Sequence, residues 1–146
     1  MRRTLLLLLL LILCSVPSPA APAEVHLQLR VIGASNDDQR IDPSLKDIHA
    51  ELGSLFSFTS YRLFRDENLT LSPNQMVSIQ TRKRSIELTL VGLKGNVAEI
   101  KIKVMREKKE MINTLARLAP GRTLLIGGGP REKREGVIIY ALFARF

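Results

Sequence analysis

The chain has 146 residues, 25% of them charged, with 22 basic and 14 acidic side chains and a formal net charge of +8. This length and balance suit one domain of ordinary globular character. Tryptophan is absent and aromatic residues make up 5%, so aliphatic side chains must fill the core.

The N-terminus reads as a secretory signal peptide. Met1-Arg2-Arg3 is a basic start, Leu5 to Leu13 is an unbroken apolar run, and small residues and prolines follow. The run is too short to span a bilayer as a stable anchor. The small-x-small rule allows cleavage after Ala20 or after Ala23. The expectation is a leader over 1–23 and a single β-rich domain over 24–146, exported to the periplasm or secreted, with no transmembrane segment in the mature chain. Cys14 is the one cysteine, and Leu13 stands before it where a lipoprotein carries a small residue. The mature chain then has no thiol for a disulfide, a nucleophile or a metal site. It keeps 20 basic and 14 acidic residues, a balance that attracts anionic lipid, glycan or nucleic acid over long range.

Val25, Leu27, Leu29 and Val31 alternate with His26, Gln28 and Arg30, the pattern of a half-buried strand. Asn36-Asp37-Asp38 is turn chemistry. Asp42-Pro43 marks a helix start, because Asp accepts from the first free amides and Pro suits the first helical position. Leu45, Ile48, Leu52 and Leu55 then form one apolar stripe on a short helix. Phe56, Phe58, Tyr61 and Leu63 slip in period at Thr59-Ser60, which suggests a β-bulge or bend there. Asp66-Glu67-Asn68 is expected to turn, and Asn68-Leu69-Thr70 matches the N-glycosylation triplet, a chance turn match outside a eukaryotic route.

From Met76 to Met105 the alternation is cleanest. Val77 and Ile79 lead into a basic turn at Arg82-Lys83-Arg84. Ile86, Leu88 and Leu90 follow, then a turn within Gly92–Asn96, then Ala98, Ile100, Ile102 and Val104 opposite Glu99, Lys101 and Lys103. This is an antiparallel meander with one dry face. A charged connection at Arg106–Glu110 precedes a weaker strand through Ile112, Thr114, Ala116 and Leu118. Ala119-Pro120-Gly121 is a tight turn. It delivers the chain into two apolar runs on either side of Gly127-Gly128-Gly129-Pro130. The last run, Val-Ile-Ile-Tyr-Ala-Leu-Phe, is apolar nearly throughout and reads as a central strand buried on both faces.

The predicted fold is mainly β (α+β): an antiparallel sheet or β-sandwich of about eight strands with one short N-terminal helix near residues 43–54. Two packed sheets, or one curved sheet covered by the helix, both satisfy the pattern.

The basic clusters are the candidate contacts. Arg82, Lys83, Arg84, Arg131, Lys133 and Arg134 sit in predicted turns, as do Arg106, Lys108 and Lys109. Hairpin turns at one end of a sandwich could converge into a cationic patch for an anion or partner. Glu107, Glu110, Glu132 and Glu135 dilute it. No aromatic residues interleave with these clusters, which argues against nucleic acid. Gly127–Gly129 lacks the Lys-Ser/Thr and helix of a phosphate loop and reads as hairpin geometry. His26 and His49 have no metal-ligand partner at a recognisable spacing, and no nucleophile elbow or paired-carboxylate motif appears. The expected sets of catalytic, metal and cofactor residues are therefore empty.

Residues 120–128, Pro-Gly-Arg-Thr-Leu-Leu-Ile-Gly-Gly, resemble a strand-and-turn motif of the secretin family, the multimeric outer-membrane gates of secretion and pilus systems. The chain lacks room for a gate domain with periplasmic modules, so the resemblance implies at most a small envelope protein sharing that strand. Ile138, Tyr140, Leu142 and Phe146 are similar to the closing strand of outer-membrane β-barrels, but charges recur too soon for a lipid-facing barrel. The layout as a whole resembles small exported bacterial proteins of unassigned activity. The expectation is a non-enzymatic envelope domain that binds an envelope protein or anionic polymer. An accessory subunit of a secretion or pilus assembly is the alternative, and an enzyme of unrecognised type stands third.

Overall fold

The structure, a computed structural model, describes residues 17–18, 20 and 23–146; most of the expected leader lies outside the described residues. Eight strands follow in chain order: β1 (Val25–Ser35), β2 (Ser60–Leu71), β3 (Met76–Thr81), β4 (Arg84–Lys94), β5 (Val97–Arg106), β6 (Lys109–Leu118), β7 (Thr123–Pro130) and β8 (Val137–Ala144). They form two four-stranded antiparallel sheets, ordered β2-β1-β8-β7 and β3-β4-β5-β6. Short connections join consecutive strands except between β1 and β2, where the connection carries the helical segment.

The alternation read from the sequence decides how the sheets pack. Val25, Leu27, Leu29 and Val31 of β1 and Ile138, Tyr140, Leu142 and Ala144 of β8 face one way. They meet Ile86, Leu88 and Leu90 of β4 and Ala98, Ile100, Ile102 and Val104 of β5, all buried. Each such Val, Leu or Ile side chain contributes about 1.5–3 kcal/mol when taken from water. The residues between them on the first sheet face the other way. Ile32, Ala34, Ile139 and Ala141 pack under Leu45, Ile48, Leu52 and Tyr61. Of the two predicted arrangements the β-sandwich is the one found, not a single curved sheet, and the helical segment covers the outer face of one of its two sheets. This is why β8 is apolar at nearly every position, since neither of its faces meets water.

The helical segment is shorter and more broken than the predicted stripe. Asp42 caps a 3-10 turn at Pro43–Leu45, accepting from the Ser44 amide at 3.0 Å, and α1 then spans His49–Leu55. Leu45, Ile48 and Leu52 are buried as expected, but Leu55 is 66% exposed. The helix stops at Phe56, whose amide donates to Leu52 O, and the Tyr61 hydroxyl holds that end by donating to Phe56 O at 2.6 Å. Leu55, the last residue of α1, is therefore left out of the buried stripe.

The first two strands also differ from expectation. β1 continues through Ser35 instead of ending near Val31. Asp66-Glu67-Asn68, expected as a turn, lies within β2 opposite Arg30, Leu29 and Gln28. Cross-strand partners hold it extended: Gln28 Nε2 donates to both Asp66 oxygens, at 2.8 and 2.9 Å, and Arg30 pairs with Asp47 and Asp66. The period slip at Thr59-Ser60 marks the start of β2, and the bulge lies further on. Leu63 opposes Ile32 and Arg65 opposes Val31, which leaves Phe64 as the extra residue. Gly33 makes room for it, because a Cβ there would sit 2.3 Å from the Phe64 ring.

A basic end of the sandwich as candidate functional site

Strand directions bring three turns to one end of the sandwich: Arg82-Lys83 between β3 and β4, Glu107-Lys108 between β5 and β6, and residues 131–136 between β7 and β8. They touch one another. The Glu107 amide donates to Lys83 O at 2.9 Å, Lys83 Nζ lies 2.6 Å from the Glu107 carboxylate, and Arg106 stands 4.0 Å from Glu132. The Glu107 carboxylate raises the Lys83 pKa, and Lys83 lowers that of Glu107 in return. Segments 82–84, 106–110 and 131–135 hold nine basic and four acidic residues, whereas the rest of 24–146 holds eleven and ten. Most of the net charge therefore sits at this end.

The backbone there is also unusual. Outside glycine, positive φ occurs among the described residues at Asn74, Arg82, Glu107, Lys108 and Lys133. All but Asn74 belong to the three basic-end turns. The left-handed region crowds Cβ and disfavours ordinary side chains. A two-residue hairpin with both φ values positive normally calls for Asn-Gly, yet Glu107-Lys108 occupies it at 47° and 67°. Charged side chains are held out to solvent here at a conformational cost.

The six residues singled out from the sequence separate into four groups. Arg82, Lys133 and Arg134 are exposed at the turn tips. Lys83 is exposed but engaged by Glu107. Arg131 is half-buried, with its guanidinium 5.4 Å from the centroid of the Phe64 ring, within cation–π range. Arg84 is a different case and corrects the turn reading. It begins β4, is 5% exposed, and donates across the sandwich to the carbonyls of Gly128 and Pro130.

That contact accounts for the glycine run. Of its three glycines, Gly129 alone takes positive φ, 83°. A Cβ at Gly128 would lie 2.5 Å from the Tyr140 ring, so the bare backbone lets that ring close the core while its carbonyl faces Arg84. Tyr140 is fully buried and burial raises its pKa, with the Arg84 charge acting against the shift. Lys108, read from the sequence as part of the charged connection after β5, shares the tip position. The two-residue spacing between Arg106 and Lys109 was the available signal for it.

Beside this end lies a cleft of about 310 Å³ lined by Arg40, Asp42, Pro43, Arg62, Leu63 and Phe64. The Phe64 bulge forms one wall and the 3-10 turn the other. Asp38 pairs with Arg62 at the rim, and the Ser60 hydroxyl together with that guanidinium lowers its pKa to about 2. The Asp42 pKa is lowered chiefly by the Ser44 hydroxyl, 2.6 Å away. No residue here was singled out as a contact from the sequence, because the cleft depends on the bulge.

The histidines lie apart. His26 Nδ1 is 3.1 Å from Thr70 Oγ1, and His49 meets the Tyr61 ring edge-on at 6.1 Å between centroids. Among the described residues no group of three His, Cys, Asp or Glu side chains gathers, and no helix is long and apolar enough to cross a membrane. No family model matches the sequence, and no curated protein or solved structure matches it either.

Proposed function

We propose that the chain is an exported, non-enzymatic binding domain that docks onto an anionic surface of the cell envelope, on an envelope protein or a polymer, through its basic end. The observation that carries this reading is the placement of Arg82, Lys108 and Lys133 at positive φ on adjoining turns that hold most of the net charge. Folding alone would favour glycine or asparagine at those positions. A cluster of one sign also steers oppositely charged partners in a salt-dependent way. The test is binding to immobilised polyglutamate as salt is raised. The triple variant Arg82→Ser/Lys108→Ser/Lys133→Ser should elute at clearly lower salt than wild type. Equal elution would sink the reading. Export is tested separately by fractionating tagged protein, where recovery in the cytoplasm with an uncut leader overturns it.

A second reading, an accessory subunit of a secretion or pilus assembly, is favoured by one feature. β6 and β7 are the free edges on the same side of the two sheets, and residues 111–116 and 123–129 carry neither charge nor proline. Such edges offer unpaired amides and carbonyls to another strand, and natural proteins usually guard them with lysine or proline. This reading expects oligomers in sedimentation that Leu115→Lys disperses. A wild-type protein that sediments as a monomer at all concentrations removes it.

A further inference from the structure

We infer that the cleft between the 3-10 turn and the β2 bulge is a carboxylate-binding subsite, which grips one acidic side chain or chain end of the anionic partner; this rests on the docking reading above. Two guanidinium groups line it and a third lies behind its wall. Arg40 and Arg62 line the cleft, and Arg131 lies against the Phe64 ring that forms its wall. The acceptors nearby are already committed. Asp42 takes the Ser44 amide and hydroxyl on one oxygen and the Leu63 amide on the other, and Asp38 takes Arg62. Arg40 and Arg131 have no carboxylate partner among the described residues. Donors are thus left over and acceptors are not, which selects an acceptor-only ligand.

The shape narrows the class further. About 310 Å³ lies at the small end of ligand sites, enough for one side chain with its neighbour and too little for a length of polymer. A planar guanidinium fork matches a carboxylate through two parallel hydrogen bonds. Phe64 is 46% exposed and, with Leu63 and Pro43, gives the methylenes of a glutamate an apolar surface. Asp38 orients Arg62, so one donor is positioned before the ligand arrives.

The test is NMR titration of the purified protein with hexaglutamate, with hexaglutamine and with inorganic phosphate, following the Arg40, Leu63 and Phe64 amides and the arginine Nε–Hε signals. Hexaglutamate should shift these signals, while hexaglutamine and phosphate at equal concentration should not. Arg40→Gln should weaken hexaglutamate about tenfold. The exposed Arg40 has no partner to lose, so its fold should be unchanged. Arg40→Lys should recover only part of the affinity, since a lysine cannot fork. Wild-type affinity in Arg40→Gln, or equal shifts with phosphate, overturns the subsite. Unchanged hexaglutamate affinity in the triple turn variant would instead sink the docking reading, and the Arg40 series alone then decides the cleft.

Discussion

Each end of the sandwich carries a two-residue hairpin turn, and the two turns have opposite chemistry. Lys94 and Val97 close a two-residue loop at Gly95-Asn96, and Thr81 and Arg84 close one at Arg82-Lys83. The first loop residue has φ 63° in one and 51° in the other. At the far end that residue is a glycine, which takes the conformation freely; at the basic end it is an arginine, which does not. The same contrast sets Gly121 against Lys108 and Lys133. Backbone geometry is constant, so what differs is what each turn presents to solvent. One end is built for ease of turning. The other accepts strain to display charge, and strain retained without a folding benefit is a mark of function.

The comparison breaks most easily where glycine at the basic end is required. Gly136 has φ 107°, and a Cβ there would lie 1.9 Å from Ala34 O in β1. Gly136→Ala should lose about 3 kcal/mol in urea denaturation, because backbone must move against backbone. A loss under about 1 kcal/mol would mean that this end is more pliant than its geometry implies. Arg84 comes next. Arg84→Met keeps the bulk but removes the donors to Gly128 and Pro130, and should cost about 2 kcal/mol by the same measurement. Binding to polyglutamate should not change, which separates Arg84 from the tip residues around it.

How much of this was legible in the sequence follows from how local each signal is. β4, β5 and β8 were readable because their alternation needs only neighbours in the chain. The Asp42-Pro43 start was readable for the same reason. The converging basic turns were anticipated because Arg82, Lys83, Lys133 and Arg134 sit at loop positions along the chain. Asp66 within β2 was not legible, because Gln28 and Arg30, far away in sequence, hold it extended. Arg84 looked like one more turn cation, and only its register opposite Thr81 and its reach to β7 show it buried. The cleft was invisible for a related reason. Its wall is Phe64, and nothing in the local pattern says that β2 carries one residue too many just there.

A paired substitution sharpens the contrast between the ends. Gly95→Ala meets no atom within 4 Å but keeps φ 63°, so it should cost about 1 kcal/mol. Lys108→Gly does the reverse. It relieves about 1 kcal/mol of left-handed strain and gives back part of that through a looser unfolded chain, a net gain of about 0.5 kcal/mol. The glycine variant should therefore melt higher and bind polyglutamate more weakly. If Lys108→Gly is neither more stable nor weaker in binding, the two ends differ in sequence alone and the functional contrast fails.

The smallest effect is expected from Asp38, and its value lies in its sign. Its pKa is about 2 in the folded protein against 3.8 for an ordinary Asp, held down by the Ser60 hydroxyl and by Arg62. A carboxylate depressed by folding stabilises the fold above pH 3.8, and the contribution fades as the pH falls toward 2. The pair is open to solvent, so the stability change is slight. The charge change is not: protonation releases Arg62 at the rim of the cleft and makes the basic end more cationic. NMR titration of the Asp38 carboxyl should give a midpoint near 2, and Arg62→Gln should raise it. An ordinary midpoint in the wild-type protein would mean that Arg62 is not held, and the cleft would lose the donor positioned ahead of its ligand.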